Sequence, residues 1–163
     1  MFREMRRKRQ QLMEDEARQI MAAGTSGVLA LSGDDGYNYA VPISYALDGN
    51  KIYFHSARSG HKLDAMRRND RVSFCVIERD EIVPEEFTTY FRSAIAFGRI
   101  KIVEDDADPE KRRGLELLAA KYSPAVDVAA REEELLKMKA CVVPVLEIEH
   151  LTGKAARELI EKK

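Results

Sequence analysis

A short basic segment, SGHKLDAMRRND (59–70), carries the residues of this sequence whose types and spacing best suit ligand binding. It stands between two apolar segments, KIYFHS (51–56) and RVSFCVI (71–77). Gly60 lets a bound group approach the backbone, and the free N–H groups of a helix's first turn attract anions. The segment therefore predicts a phosphate cradle formed by Ser56, Ser59, Lys62 and either Arg67 or Arg68. The alternative is a surface helix whose cations are only solvated.

Other chemistries find less support. His55, His61 and Asp64 suggest a metal site, but the two histidines fall in different elements and no third ligand has a recognisable spacing. No nucleophile-elbow motif supports a Ser-His-Asp hydrolase. Neither GxGxxG nor GxxxxGK[ST] occurs, so no nucleotide-phosphate loop of either type is expected. His150 is expected to be a surface or hydrogen-bonded residue, and we expect no metal.

The composition is that of a soluble globular protein. The chain has 163 residues, 45% hydrophobic and 34% charged, with a net charge of −1, which gives no overall attraction to nucleic acid or membrane. Cys75 and Cys141 stand in apolar runs and are expected to be reduced core thiols. The start of the chain lacks a secretory signal and no apolar run could span a bilayer, so a cytoplasmic location is expected.

The N-terminus is the one strongly basic region. It is either a solvated end, which we favour, or an arm for nucleic acid. Its cations are Arg3, Arg6, Arg7, Lys8 and Arg9. Because Phe2 is the only aromatic residue near them, base stacking has little support, and we expect no nucleic-acid partner.

The elements that must position the basic segment can be read from local patterns. Apolar spacing predicts an N-terminal helix at about 13–23, a helix at 108–122 that begins with Asp108-Pro109, and another over 127–139. A C-terminal helix is predicted at about 154–162. Strands are predicted at 27–32, 37–47, 51–56, 71–77, 90–104 and 140–151, with a turn at GDDG (33–36).

Two residues refine these strands, and one segment interrupts them. Pro42 cannot donate to a ladder and indicates an edge or a bulge, whereas Gly98 inside a long strand indicates a bulge or bend. The polar segment 78–89 is expected to be a loop or an irregular extension. Five or six strands, mostly joined by hairpins, predict an antiparallel, closed or nearly closed barrel with appended helices, in one domain over 1–163.

Three ordered stretches carry a resemblance to a known family. YAVPISYALDGNKIYFHSARSGHKLDAMRRNDRVSFCV resembles the pyridoxamine 5′-phosphate oxidase-like, FMN-binding split-barrel superfamily. The later FTTYFRSAIAFGRIKIVEDDAD and GLELLAAKYSP are similar to its nitroimidazole-resistance (Nim) branch, and TGKAA (152–156) matches the way that branch ends. The resemblance covers about Arg6 to Lys154.

The resemblance implies a fold, a cofactor and a partner. Members form a six-stranded antiparallel Greek-key split barrel with peripheral helices, and pair as homodimers with FMN in grooves at the interface. It implies flavin and phosphate contacts by His55, Ser56, His61 and Lys62. It also implies ring contacts by Pro42, Ile43 and Ser44, and by Arg92 and Ser93 from the partner subunit.

The implied function is a flavin-dependent oxidoreductase, specifically a nitroimidazole or nitro-aromatic reductase that takes electrons from NAD(P)H. The alternatives are a flavin-carrying module without turnover and a relative that binds heme or the deazaflavin F420. Oxidation of pyridoxine phosphate is not expected, because the chain has no Trp and lacks the C-terminal Trp, Arg and His signature of the true oxidases.

Overall fold

The computed structural model describes residues 1–137 and 140–161. The helices are α1 (Glu14–Ala23), α2 (His61–Arg68), α3 (Pro109–Tyr122), α4 (Val128–Lys137) and α5 (Arg157–Glu161). The strands are β1 (Gln11–Leu12), β2 (Ser26–Ser32), β3 (Asn38–Ser44), β4 (Ala46–Asp48), β5 (Lys51–Tyr53), β6 (Ser56–Ala57), β7 (Arg71–Val83), β8 (Thr88–Val103) and β9 (Cys141–Ala155). No helix in the described ranges is both long and apolar enough to cross a membrane.

The strands form one antiparallel sheet that closes on itself. Its order is β3-β2-β7-β8-β9-β5-β4, and β1 and β6 also pair with β9. Tyr45 alone separates β3 from β4, so the two edges of this order belong to one nearly continuous strand. Counting β3 with β4 and β5 with β6 gives six main strands. The structure is therefore the antiparallel split barrel that the sequence predicts, with helices around it.

The break between β3 and β4 has a local cause. The Tyr45 N–H donates to the hydroxyl of Tyr122 on α3 (2.9 Å) instead of to a neighbouring strand. The buried Tyr45 hydroxyl in turn donates to the Met21 carbonyl oxygen on α1 (2.5 Å). Tyr45 therefore joins both helices to the barrel, and its strand changes partner from β2 to β5 at this residue.

The core fills the barrel from side chains that alternate along its strands. β2 shows the pattern clearly, with Leu29 and Leu31 buried and Val28 exposed between buried neighbours. Helix α1 adds Ile20 and Met21 to the same cluster, and α2 adds its own buried face. One face of most strands thus packs in the core, and the opposite face of β3, β2, β7 and β8 points away from it.

Most predicted elements are confirmed. The 33–36 turn is present, closed by the Gly33 N–H to the Tyr37 carbonyl oxygen (2.9 Å). Asp108 caps α3 through the Glu110 N–H. Pro42 lies on β3, which pairs with β2 alone within the described part of the sheet. The register of β8 against β9 shifts at Gly98, and the position requires glycine because a Cβ there would stand 1.9 Å from the Glu147 carbonyl oxygen.

Two predicted boundaries are wrong, and one open alternative is decided. Of the two forms predicted for segment 78–89, the structure has the irregular extension and not the loop, since β7 runs past a β-bulge at Ile77/Arg79 to Val83 and joins β8 through a 3₁₀ turn, Pro84–Glu86, to make a long hairpin. The C-terminal helix begins at Arg157 and not at about 154, because β9 extends to Ala155 and pairs there with β8. The predicted strand over 51–56 is split into β5 and β6. Positions 138, 139 and 162 of two predicted helices lie outside the described residues.

Candidate functional site

The predicted cradle lies where β6 passes into α2. Gly60 precedes the helix with a φ of 132°, a conformation that favours glycine, and a Cβ built on it would meet nothing within 4 Å. The first backbone bonds of α2 run from Leu63 and Asp64 to the Gly60 carbonyl oxygen. Within the described part of the chain, the N–H groups of His61 and Lys62 find no acceptor. Two backbone donors at the positive end of the helix thus face open space.

Ser56 contributes the most informative atom of the site. Its side chain is buried, with 4% of the residue exposed, opposite Val142 of β9. Its Oγ has no hydrogen-bond partner among the described residues. A buried hydroxyl left without a partner costs about 1–3 kcal/mol, so native structures rarely retain one unless a further group supplies the bond. The orphaned hydroxyl therefore fits a ligand that reaches the start of α2.

Lys62 provides the cation. Its side chain is half-buried and forms no ion pair within the described residues, so its charge is not neutralised by the chain itself. This charge affects the neighbouring His55. Burial lowers the pKa of His55 below 6.5, and the Lys62 ammonium lowers it further. The structure thus brings together His55, Ser56 and Lys62, with His55 neutral at pH 7.

His61 faces a different part of the molecule. Its ring stacks on Tyr39 of β3, with centroids 4.1 Å apart and planes inclined by 10°. Its Nε2 lies 3.4 Å from the carboxylate of Asp34 in the β2–β3 turn. The His61 side chain therefore ties α2 to this hairpin, and only its backbone N–H faces the cradle.

Neither arginine of the helix is free to join the cradle. Arg67 pairs with Glu104 (2.8 Å) and Asp64 (3.5 Å), and Arg68 pairs with Asp34 (2.5 Å). The prediction that one of them completes the phosphate site stays a prediction, and it would require that arginine to leave an exposed ion pair. The pairs instead fix the helix between the β2–β3 turn and the end of β8.

Two residues near the site were missed from the sequence. Arg58, in the loop before Gly60, lies 3.1 Å from the Asp106 carboxylate. Asp34 joins both His61 and Arg68 to the turn. No local pattern marks either role, because each partner is more than twenty residues away along the chain.

The predicted ring-contact residues Pro42, Ile43 and Ser44 lie on β3. Pro42 and Ser44 are exposed, while Ile43 packs against the barrel core. The stack of Tyr39 on His61 connects this strand to the cradle, and the three residues lie about 10–17 Å beyond Tyr39 at about 3.3 Å per residue. Tyr39 shares the core-facing side of β3 with Ile43, whereas Pro42 and Ser44 lie on the opposite, outward side of the strand.

Arg92 and Ser93 lie elsewhere in the same copy. Arg92 forms ion pairs with Glu78 (2.9 Å) and Glu16 (3.9 Å). Ser93 stands opposite Lys154 of β9. Within the described residues no contact joins either side chain to Ser56 or Lys62. A role for them at the cradle therefore requires a second copy of the chain.

The fold agrees with what comparisons with known proteins find. The family model described as pyridoxamine 5′-phosphate oxidase matches residues 13–155. The chain belongs to the pyridoxamine 5′-phosphate oxidase family. This membership confirms the resemblance seen in the sequence, and the matched range includes all nine predicted site residues of this family member.

The proteins to which this chain is similar carry different names. An uncharacterised protein of Rhizobium meliloti is 40% identical over 67 residues, which span 41% of this chain and 43% of that protein. Among solved structures, a conserved protein of Mycobacterium tuberculosis has a TM-score of 0.79 at 20% identity, covering 96% of this chain and 92% of its own.

Two further solved structures share the fold of this pyridoxamine 5′-phosphate oxidase family member. A candidate 5-nitroimidazole antibiotic resistance protein from Bacteroides thetaiotaomicron has a TM-score of 0.71 at 20% identity, covering 89% of this chain and 86% of its own. An FAD-binding protein from Mesorhizobium loti has a TM-score of 0.65 at 24% identity, covering 90% and 96%. At these identities the likeness shows a common fold.

Proposed function

We propose that this protein binds FMN and acts as a flavin-dependent oxidoreductase of the nitroimidazole-resistance branch. Nitro-aromatic compounds are the electron acceptors, NAD(P)H is the donor, and the protein works in the cytoplasm as a homodimer with FMN at the interface. Family membership supports a flavin site, and two proteins of the same fold are named for FAD binding and for 5-nitroimidazole resistance. The sequence has no Trp, which argues against the substrate signature of the true oxidases.

The observation that carries the proposal is the orphaned Ser56 hydroxyl. It is buried, it has no partner among the described residues, and it belongs to the first residue of β6, the short strand that precedes α2. The N–H groups of His61 and Lys62 and the Lys62 ammonium are likewise available. Donors of this number and sign fit a phosphate monoester, because all of them find acceptors on one anion.

Each cradle residue has a defined part. Lys62 neutralises phosphate charge, Ser56 donates a hydrogen bond, and the first turn of α2 contributes its backbone donors. Neutral His55 offers one donor or one acceptor to the cofactor without adding charge. FMN, when bound, would supply the redox chemistry between NAD(P)H and a nitro-aromatic acceptor.

The exposed face of β3 is the proposed site for the flavin ring. Pro42 and Ser44 present an apolar surface and a hydroxyl there, and Ile43 holds the strand against the core. Arg92 and Ser93 of the second copy complete the ring site in this proposal. A planar ring held between two copies would be shielded from water on part of its surface.

An absorption spectrum of the purified protein, followed by denaturation and chromatography of the released chromophore, tests the cofactor. Release of FMN in nearly equal amount to protein supports the proposal. Release of heme or F420 would show that the protein binds the cofactor of the alternative relatives and not FMN. A protein that is colourless and also fails to take up added FMN refutes the proposed site.

A flavin carrier without turnover is the second candidate. One observation favours it: His61, one of two histidines near the site that could act as acid or base, is engaged with Asp34 and Tyr39. Steady-state reduction of a nitroimidazole by NAD(P)H separates the two functions. Bound FMN that is reduced by dithionite but supports no turnover with NADH or NADPH would favour the carrier.

A further inference from the structure

A further cation stands beside the cradle, in the loop between β6 and α2. Arg58 is two residues after Ser56 and two before Gly60, so its Cα lies within about 7 Å of the Cα atom of each. Its side chain reaches the segment that follows β8, where it donates to the Glu104 carbonyl oxygen (3.4 Å) and to the Asp106 carboxylate (3.1 Å). The guanidinium is therefore held near the first turn of α2 by contacts outside that helix.

The Asp106 carboxylate has a second cationic partner, which is better shielded from water. The Lys111 ammonium lies 2.5 Å from the same oxygen atom that Arg58 contacts, and it also donates to the Cys141 carbonyl oxygen (2.6 Å). Lys111 is 3% exposed, whereas the Arg58 side chain is 44% exposed. The hydrogen bond from Lys111 is the main cause that lowers the pKa of Asp106. Departure of Arg58 would therefore leave Asp106 paired with a buried cation.

The two arginines of α2 are placed less favourably for a ligand at its first turn. Arg67 and Arg68 follow His61 by six and seven residues, which is about 9–10 Å along the helix axis. Arg67 contacts two carboxylates at once. Arg68 pairs with Asp34, whose other partner, His61, is a cation only when it is protonated. Of the three arginines, Arg58 is thus the nearest to the first turn and the easiest to release.

A phosphate monoester carries more negative charge than the cradle neutralises without Arg58. Its second pKa is about 6, so its charge at pH 7 is close to −2. Lys62 contributes one positive charge, and the N-terminus of α2 contributes about half of another. The pKa of His55 is lowered, so its side chain adds no charge at pH 7. About half a negative charge therefore remains, and a further cation within reach would strengthen binding.

We propose that Arg58 is the second cation of the phosphate site and exchanges the Asp106 carboxylate for the phosphate when the cofactor binds. The exchange costs little, because an exposed ion pair changes an equilibrium constant by at most about fivefold and Asp106 keeps Lys111. The gain is larger, because bonds from a guanidinium to phosphate are charge-assisted and can be bidentate. The inference deepens the proposed function, and it rests on the phosphate site of that proposal.

Comparison of FMN with riboflavin, which lacks the phosphate, isolates the contribution of Arg58. Arg58→Gln should weaken FMN binding about tenfold and leave riboflavin binding unchanged, as followed by flavin fluorescence. Arg58→Lys keeps the charge and should recover part of the loss. Arg113→Gln is the matched control, because Arg113 on α3 is also exposed and pairs with the Asp48 carboxylate at the same 3.1 Å. An equal loss of FMN and riboflavin binding in Arg58→Gln would overturn the phosphate contact.

Removal of the competing carboxylate tests the exchange from the other side. Asp106→Asn releases Arg58 from its ion pair, so this variant should bind FMN at least as tightly as the parent does. The same variant should be less stable in urea, because the buried Lys111 ammonium loses its carboxylate partner. Opposite signs for binding and stability are expected only if Asp106 competes with the phosphate. A folded Asp106→Asn protein with weakened FMN binding would contradict the exchange.

Inorganic phosphate separates this inference from the proposed cofactor. Added to the cofactor-free parent, it should raise the melting temperature, and the rise should be smaller for Arg58→Gln than for Arg113→Gln. Equal FMN binding by the parent and both variants overturns the role of Arg58 and leaves the flavin site standing. A parent that binds no FMN but is stabilised by phosphate through Arg58 supports the second cation and refutes the cofactor. A parent that responds to neither ligand overturns both.

Discussion

Replacement of Ser56 by Ala should change stability and FMN binding in opposite directions. The Ser56 hydroxyl is buried without a partner in the chain, so its removal from the cofactor-free protein relieves a penalty of about 1–3 kcal/mol. For a domain of this size each kcal/mol raises the melting temperature by about 2–4 °C. A hydrogen bond to a charged group is worth about 1.5–3 kcal/mol, so the same change should weaken FMN binding roughly 10- to 150-fold.

The two effects are measured separately. Urea unfolding of the cofactor-free protein gives the free energy of unfolding, and quenching of FMN fluorescence during a titration gives the dissociation constant. Ser26→Ala, at an exposed serine of β2 outside the proposed site, controls for the loss of a serine and should leave stability within about 0.5 kcal/mol of the parent. If Ser56→Ala destabilises the cofactor-free protein by 1 kcal/mol or more, the hydroxyl already has a partner, and the argument for the ligand fails.

Three other changes test separate parts of the structure. Lys62→Ala should weaken FMN binding by about 1.5–3 kcal/mol while the exposed Lys8→Ala leaves it unchanged, as followed by the same titration; equal retention by both variants would mean that the cradle is misplaced. NMR titration should give His55 a pKa below 6.5, and Lys62→Ala should raise it by removing a nearby positive charge. Because the pKa of His55 is lowered in the folded protein, His55 stabilises the protein above pH 6.5, and this contribution is lost as the pH falls below that value. If the difference in free energy of unfolding between the parent and His55→Gln stayed constant across pH 5–7, the lowered pKa would be contradicted. Gly98→Ala should cost about 3 kcal/mol or more in urea unfolding, because its Cβ would overlap the Glu147 carbonyl oxygen, and a near-neutral result would mean that the bulge relaxes easily.

Local signals made much of the barrel predictable. Asp108-Pro109 at a helix start, Gly36 in a turn and Gly98 in a long strand each act through their own backbone, so their effect can be recognised without knowing the fold. The structure contains each feature where the sequence predicts it. Ser56 and Lys62 could likewise be proposed as site residues from the sequence, since a strand end followed by a glycine and a basic helix start is a local pattern.

The long hairpin could not be predicted in the same way. Strand prediction depends on alternation between a buried and an exposed face, and residues 77–82 of β7 are all exposed. A projecting ribbon buries neither face, so its sequence resembles that of a polar loop. The extension of β9 to Ala155 has a related explanation, because the pairing partners that hold it, on β1 and β8, are distant in sequence.

Which cations of α2 form ion pairs also could not be predicted from the sequence. Lys62, Arg67 and Arg68 look equivalent in sequence, and only the fold distinguishes them. Arg68 meets Asp34, and Arg67 meets Glu104, through pairings that position α2 against two separate elements. Lys62 meets no carboxylate among the described residues. Because the helix is already held by its arginines, an anion bound at its first turn would gain the Lys62 charge without breaking an ion pair, which supports the proposal that the segment holds a phosphate.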